Sequence, residues 1–135
     1  MIVMNDGIKT RNLYNFEDVY FKNTFFSRDL SMNILRKQAF RVWKIFGKNK
    51  EFPKIVADRG TFYNGRYLSY SQGNDIRLAR NQRNIITLMH EITHALGFEF
   101  HNKKFVDMEF SILEHMFKKN RGELELTAGL FGVER

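Results

Sequence analysis

The stretch Thr87-Leu-Met-His-Glu-Ile-Thr-His-Ala-Leu96 decides the fold of this chain. It contains His90 and His94, and residues four positions apart project from nearly the same face of an α-helix. Neutral imidazole nitrogens are good ligands for Zn²⁺, so these two side chains can bind one cation. The uncharged residues around them suit a helix that is packed on both sides of a metal. We therefore predict a zinc site carried by a helix.

Glu91 follows the first histidine and is rotated from it by about 100° around the helix axis. At that angle its carboxylate is poorly placed to bind the metal, but it can take a proton from a water molecule that the metal acidifies. Glu91 is therefore the candidate general base. The competing interpretation is two surface histidines beside a charged residue. The uncharged flanks, and Gly97 as a natural end to the helix, favour the metal site.

A catalytic zinc site normally has three protein ligands and one open position for water, so a third ligand must be found. His101 lies seven residues after His94, beyond Gly97, where a returning loop could bring it over the metal. Glu114 lies twenty residues after His94, a spacing that resembles zincins with a glutamate ligand, and His115 is beside it. We favour His101, because the glycine redirects the chain and a neutral ligand preserves the acidity of the metal.

A longer run, His90-Glu-Ile-Thr-His-Ala-Leu-Gly-Phe-Glu-Phe-His-Asn-Lys-Lys-Phe105, resembles the SprT-like (Spartan-type) metallopeptidases and the small bacterial and phage metallohydrolases related to them. In that family a third histidine follows the HExxH helix, usually as His-Gly-Pro-x-Phe, and another helix comes next. His101 and Phe105 match this element, while Asn102 and Lys103 stand in place of Gly-Pro. The resemblance covers residues 54 to 120.

The resemblance implies a minimal zincin-like domain that holds Zn²⁺ on His90, His94 and His101 and uses Glu91 as its catalytic residue. We therefore expect a zinc metallopeptidase acting on a protein or peptide substrate. One alternative is a hydrolase of the same metal type that acts on a non-peptide amide. A second is an inactive, basic nucleic-acid- or protein-binding module with structural zinc. A structural site needs no general base, so Glu91 favours an enzyme.

The remaining sequence predicts the elements around this helix. Apolar residues recur at helical spacing between Asp29 and Gly47, and again from Lys103 to Lys119, where Gly122 is expected to end the helix before a short mixed tail. Between them, β-prone runs flank Asn64-Gly65, the strongest short signal for a hairpin. The first 26 residues carry no clear pattern.

These elements define an α+β fold. It comprises an N-terminal helix, a small antiparallel sheet of three strands, with four as the alternative, the HExxH helix and a following C-terminal helix. With 135 residues and 43% hydrophobic content, the chain fits a single domain over residues 1–135. It has no cysteine, so a transition metal must be bound by His, Asp or Glu.

The formal charge of +7 arises from lysines and arginines spread along the chain. Local clusters are Arg77, Arg80 and Arg83, and a second set of Lys103, Lys104, Lys118, Lys119 and Arg121. Such a surface attracts polyanions, so a nucleic acid is a second candidate partner. A generally basic, solvated surface is the competing interpretation. The segment Met1–Gly7 has too short an apolar run for a secretory signal, and no stretch reaches membrane-spanning length. We therefore expect a cytoplasmic monomer with no membrane partner.

Overall fold

A computed structural model describes residues 2–63 and 65–135 of the chain and divides into two compact units. The central unit is Asn23–Gly97, and the terminal unit combines the residues up to Lys22 with Phe98–Arg135. The single domain over residues 1–135 stays a prediction. The elements in chain order are α1 (Ile2–Tyr20), a 3₁₀ helix (Phe25–Ser27), α2 (Met32–Phe46), β1 (Lys54–Asp58), β2 (Thr61–Tyr63), β3 (Arg66–Leu68), β4 (Tyr70–Gln72), β5 (Asp75–Ala79), α3 (Ile85–Ala95), α4 (Lys103–Phe117) and α5 (Arg121–Leu130).

The predicted α+β class is confirmed, and so is the three-stranded sheet, which has the order β1-β5-β4. The prediction of purely antiparallel pairing is wrong. Strand β4 is antiparallel to β5, but β1 runs parallel to β5, with Lys54 opposite Asp75 and Asp58 opposite Ala79. A parallel pair needs a crossover of about a dozen residues or more. Residues 59–74 provide it, and they hold three short strands of their own.

Two of those strands form a separate antiparallel ribbon, in which Phe62 of β2 pairs with Tyr67 of β3. Between them in the sequence lie Asn64 and Gly65, the pair for which the turn was predicted. Asn64 lies outside the described residues, and Gly65 has a φ of +83°, as a tight hairpin turn requires. The β2–β3 hairpin is therefore present at the predicted place.

Gly60 lets this hairpin approach β5. Its φ is +90°, and a Cβ atom built there would lie 2.4 Å from the Leu68 carbonyl oxygen and 2.8 Å from the Ala79 Cβ. Real side chains do not tolerate such distances to backbone, so only glycine fits between the two elements. The position of the hairpin in the central unit thus depends on this residue.

The predicted helix between Asp29 and Gly47 is confirmed as α2, which starts after the capping hydroxyl of Ser31 and buries Leu35, Ala39, Val42 and Trp43. In the terminal unit, α1 and α5 are helices that the sequence analysis did not predict. Phe16 of α1 is fully buried there, with its ring 5.7 Å from that of Phe110 in α4. Among the described residues, no helix has both the length and the apolar character required to cross a bilayer.

The prediction that Gly122 ends the helix after Lys103 is wrong. That helix, α4, ends at Phe117, where Lys118 adopts a left-handed conformation with a φ of +57°. Asn120 then caps a new helix, because its side chain accepts a hydrogen bond of 2.9 Å from the backbone N–H of Glu123. Gly122 therefore lies in the first turn of α5.

The Gly60→Ala substitution should lower the free energy of unfolding by more than about 2 kcal/mol, because it adds a steric clash to the cost of a left-handed backbone. Gly73→Ala is the matched control, since Gly73 also has positive φ (+59°) but a Cβ there meets nothing within 4 Å. That control should lose only about 1 kcal/mol. Urea unfolding measures both, and equal losses would contradict the packing described for Gly60.

Candidate metal centre

Helix α3 carries the histidines and the glutamate singled out in the sequence. It begins after Asn84, whose side chain accepts a 2.9 Å hydrogen bond from the backbone N–H of Thr87. It packs against α2, β4, β5 and the 3₁₀ helix, all in the central unit. The side chains that recur at helical spacing are buried, and they are Ile85, Leu88, Met89, Ile92 and, just past the helix, Leu96. Packing on several sides therefore holds α3 in one orientation.

His90 and His94 lie together on this helix. Their ring centroids are 5.1 Å apart, and a nitrogen of one ring lies within 4.8 Å of a nitrogen of the other. Two nitrogens bound to one tetrahedral zinc are separated by roughly 3.3 Å, so a small rotation of the rings suffices for shared binding. His90 is buried and His94 is half-buried. The pair can therefore bind one cation with limited access to water.

Glu91 is buried as well, with 2% of its surface exposed. The Ser71 hydroxyl of β4 lies 3.0 Å from Oε1 of Glu91 and 2.9 Å from its backbone carbonyl oxygen. A hydroxyl has one proton, so it donates to one of these oxygens at a time. Either bond joins the edge of the sheet to α3 at the residue predicted to be the general base. Ser71 therefore restrains α3 at Glu91, and it restrains the Glu91 side chain when it donates to Oε1.

His101, the predicted third ligand, belongs to the terminal unit and directly precedes the N-cap of α4. It is 9% exposed, and its Nδ1 atom is 2.7 Å from the Thr10 hydroxyl oxygen. Its ring lies 5.0 Å from that of Phe105. Asn102, which stands where the resembling family has glycine, caps α4 by accepting a 3.2 Å hydrogen bond from the Phe105 N–H. The role of His101 as a metal ligand stays a prediction.

The alternative ligand Glu114 is exposed on α4, as is His115 beside it. The Glu114 carboxylate lies 3.9 Å from the guanidinium of Arg121, at the limit of an ion pair. Arg121 also pairs with Asp107 at 3.1 Å and Glu125 at 2.8 Å. Glu114 is thus part of an exposed charged network at the junction of α4 and α5.

Two buried carboxylates of the terminal unit were not predicted from the sequence. Glu17 of α1 is 5% exposed and Glu109 of α4 is fully buried, and carboxylate oxygens of the two lie within 4.8 Å of each other. Burying two carboxylates this close together is costly unless neighbouring groups compensate their charge. A signal for them exists in the sequence, because each occupies a position in an otherwise apolar helical stripe. Glu109, for example, is midway between Phe105 and Leu113.

Ser71 and Thr10 were missed for a different reason. Each is a single hydroxyl, far along the chain from the residue that it contacts, and neither forms a spacing pattern with it. The fold alone brings these hydroxyls to the residues that they contact.

Comparison of the chain with protein-family profiles, curated proteins and solved structures finds no match. The resemblance to SprT-like metallopeptidases therefore remains an expectation from the residues that carry it.

Replacing Ser71 with alanine should lower the free energy of unfolding by about 1–3 kcal/mol, because the hydroxyl bonds to a buried carboxylate or carbonyl. Ser71→Thr keeps the hydroxyl and should lose less. The matched control is Ser27→Ala, since the Ser27 hydroxyl donates to Thr24 at 3.1 Å in an exposed turn. It should change stability by no more than about 0.5 kcal/mol. Similar losses for Ser71→Ala and Ser27→Ala in urea unfolding would refute the restraint of Glu91.

Proposed function

We propose that this chain is a zinc-dependent metallopeptidase that hydrolyses peptide bonds in a protein or peptide substrate. One observation carries the proposal. Two imidazoles with nitrogens within 4.8 Å of each other share helix α3 with a buried glutamate, and that glutamate is hydrogen-bonded by Ser71. Cation-binding nitrogens beside a restrained carboxylate are the elements of a metal-assisted hydrolase.

The donor set suits Zn²⁺. The chain has no cysteine, and His90 and His94 offer neutral nitrogens in a largely buried position. Imidazole is a good ligand for zinc, whereas Mg²⁺ and Ca²⁺ prefer oxygen atoms. The two histidines would hold the metal, and the catalytic function would require one more protein ligand.

We propose His101 as that ligand. In metal sites, the second ring nitrogen of a ligating histidine is usually hydrogen-bonded, which fixes the orientation of the ring. The contact of 2.7 Å between the Thr10 hydroxyl and Nδ1 is of this kind and leaves Nε2 as the ligating atom. Glu114 is less suitable, because its carboxylate is exposed and lies beside the Arg121 guanidinium.

When bound, zinc would lower the pKa of a water molecule and polarise the carbonyl group of the scissile bond. Glu91 would then accept the proton from the attacking water on one carboxylate oxygen and return it to the leaving amine. When its hydroxyl donates to Oε1, Ser71 would hold the carboxylate in a single orientation for both transfers. The burial of Glu91 limits competing hydrogen bonds from solvent.

The substrate would lie along β4. This strand is at the edge of the order β1-β5-β4, and the edge of a sheet can pair with an extended peptide through its backbone groups. Ser71 on β4 contacts Glu91, so a peptide paired there would run beside the proposed base. This favours a peptide over a non-peptide amide. We further propose that the protein is a cytoplasmic monomer.

A Glu91→Gln variant tests the proposal. It should retain the zinc content of the wild type, because both helix histidines remain, and should lose about 10²- to 10⁴-fold in its rate of hydrolysis of labelled casein. Glu51→Gln is the matched control, since it makes the same charge change at an exposed position of the central unit. Metal analysis and fluorescence release measure the two properties.

Two outcomes of this experiment would contradict the proposal. Full hydrolysis by Glu91→Gln would exclude Glu91 as the base. A wild-type protein that holds one zinc per chain but cleaves neither casein nor shorter peptides would favour the binding module with structural zinc.

A further inference from the structure

A basic pocket of about 920 Å³ lies on the central unit, apart from the residues of the candidate metal centre. Its lining includes four arginines, Arg59, Arg66, Arg80 and Arg83. They come from three separate segments: the residue after β1, the first residue of β3 and the segment between β5 and α3. The fold therefore gathers guanidinium groups that are dispersed in the sequence.

Asp58 is the acidic residue in this lining, and its charge is already compensated. Arg77 Nη1 lies 3.0 Å from its Oδ2 atom, and this hydrogen bond, together with one from the Arg59 backbone N–H, holds the pKa of the Asp58 carboxyl below its usual range. Among residues 2–63 and 65–135, no carboxylate pairs with Arg80. The net charge presented by the pocket is thus positive.

The basic surface continues beyond this pocket. A second pocket, of about 600 Å³, is lined by Arg80 and Arg83 again, together with the segment that leads into α2 and its first residue, Met32. Asp29 also lines it, so this end is less positive than the first. The two pockets share Arg80 and Arg83, and we name the surface that they line together the arginine groove.

The β2–β3 hairpin adds exposed aromatic rings beside the groove. Phe62 is 61% exposed and Tyr67 is 42% exposed, and their ring centroids are 5.0 Å apart. Tyr67 lines the first pocket, and the Arg59 guanidinium lies 5.6 Å from the centroid of its ring. Two neighbouring exposed rings form a contiguous apolar patch, and such patches often mark a binding site.

We infer that the arginine groove and the Phe62–Tyr67 pair form a binding surface for single-stranded nucleic acid. A phosphodiester backbone carries the negative charge that matches the groove, and unstacked bases have flat faces that stack on exposed aromatic rings. An acidic peptide could pair with the arginines, but its charge would not account for the exposed aromatic pair. In a duplex the bases are already stacked, so it too would leave these rings unused.

Fluorescence anisotropy with a labelled oligothymidylate tests this surface in the full-length protein. In the Arg59→Ala/Arg80→Ala variant, the dependence of log K on log salt should be shallower by about 1.4, since each phosphate contact to a single strand contributes about 0.7. Phe62→Ala should weaken binding at least about fivefold, because it removes a stacking partner. The charge-matched control is Lys37→Ala/Arg41→Ala, two exposed positions of α2, and it should retain the wild-type salt dependence.

Three results decide the outcome. Tighter binding of oligothymidylate than of a duplex, with the losses above, supports the surface. An arginine variant that behaves like the control, or a duplex bound more tightly than the single strand, overturns it. Glu91→Gln protein should bind the oligonucleotide as the wild type does, so this surface and the proposed peptidase activity can fail separately.

Discussion

The packing of α3 against the sheet is the constraint on which the candidate site depends. His90 and His94 can share a cation only while the helix between them is continuous, because their proximity comes from helical spacing. The buried stripe from Ile85 to Leu96 holds the helix, and the Ser71 hydroxyl joins it to the edge strand. The Ser71 hydroxyl also contacts Glu91. The packing of α3 against the sheet therefore positions both the histidine pair and the proposed general base. This packing accounts for the burial of His90 and Glu91, although charged residues such as glutamate are seldom buried without a partner.

The sequence predicted the elements whose apolar spacing is strong and whose ends are marked. Helix α2 has a regular buried stripe, and α3 has the capping Asn84 at its start and Gly97 after its end. Helix α1 was missed because its apolar stripe is short and contains a charged residue, with Glu17 buried beside Leu13 and Phe16. Helix α5 was missed because Gly122 indicated an end, whereas Asn120 starts a helix there. The parallel β1–β5 pair could not be predicted, since strand direction depends on the long crossover and local sequence does not encode it.

The same distinction applies to the candidate site: residues close in sequence were predicted, and contacts between distant segments were not. His90, Glu91 and His94 are adjacent in sequence, so helical spacing was enough to predict their proximity. The contacts of Ser71 and Thr10 join distant segments and required the fold. The basic cluster of the sequence was partly misleading. Arg77 is engaged by Asp58 and Asp75, whereas Arg80 and Arg83 line the groove with arginines from other segments. The excess of lysine and arginine therefore predicted a basic surface. Which arginines are paired with carboxylates could be seen only in the fold.

X-ray absorption spectroscopy at the zinc edge of the purified protein tests the central claim, that α3 histidines hold a metal, most directly. We predict one zinc per chain with nitrogen or oxygen neighbours at about 2.0–2.1 Å and the outer-shell scattering of three imidazole rings. Three rings would agree with His90, His94 and His101, because the chain has four histidines and His115 is exposed on α4. Scattering from only two imidazole rings, together with a carboxylate, would indicate that the third ligand is a residue such as Glu114. A zinc shell without imidazole scattering, or a protein that retains no zinc, would contradict the account.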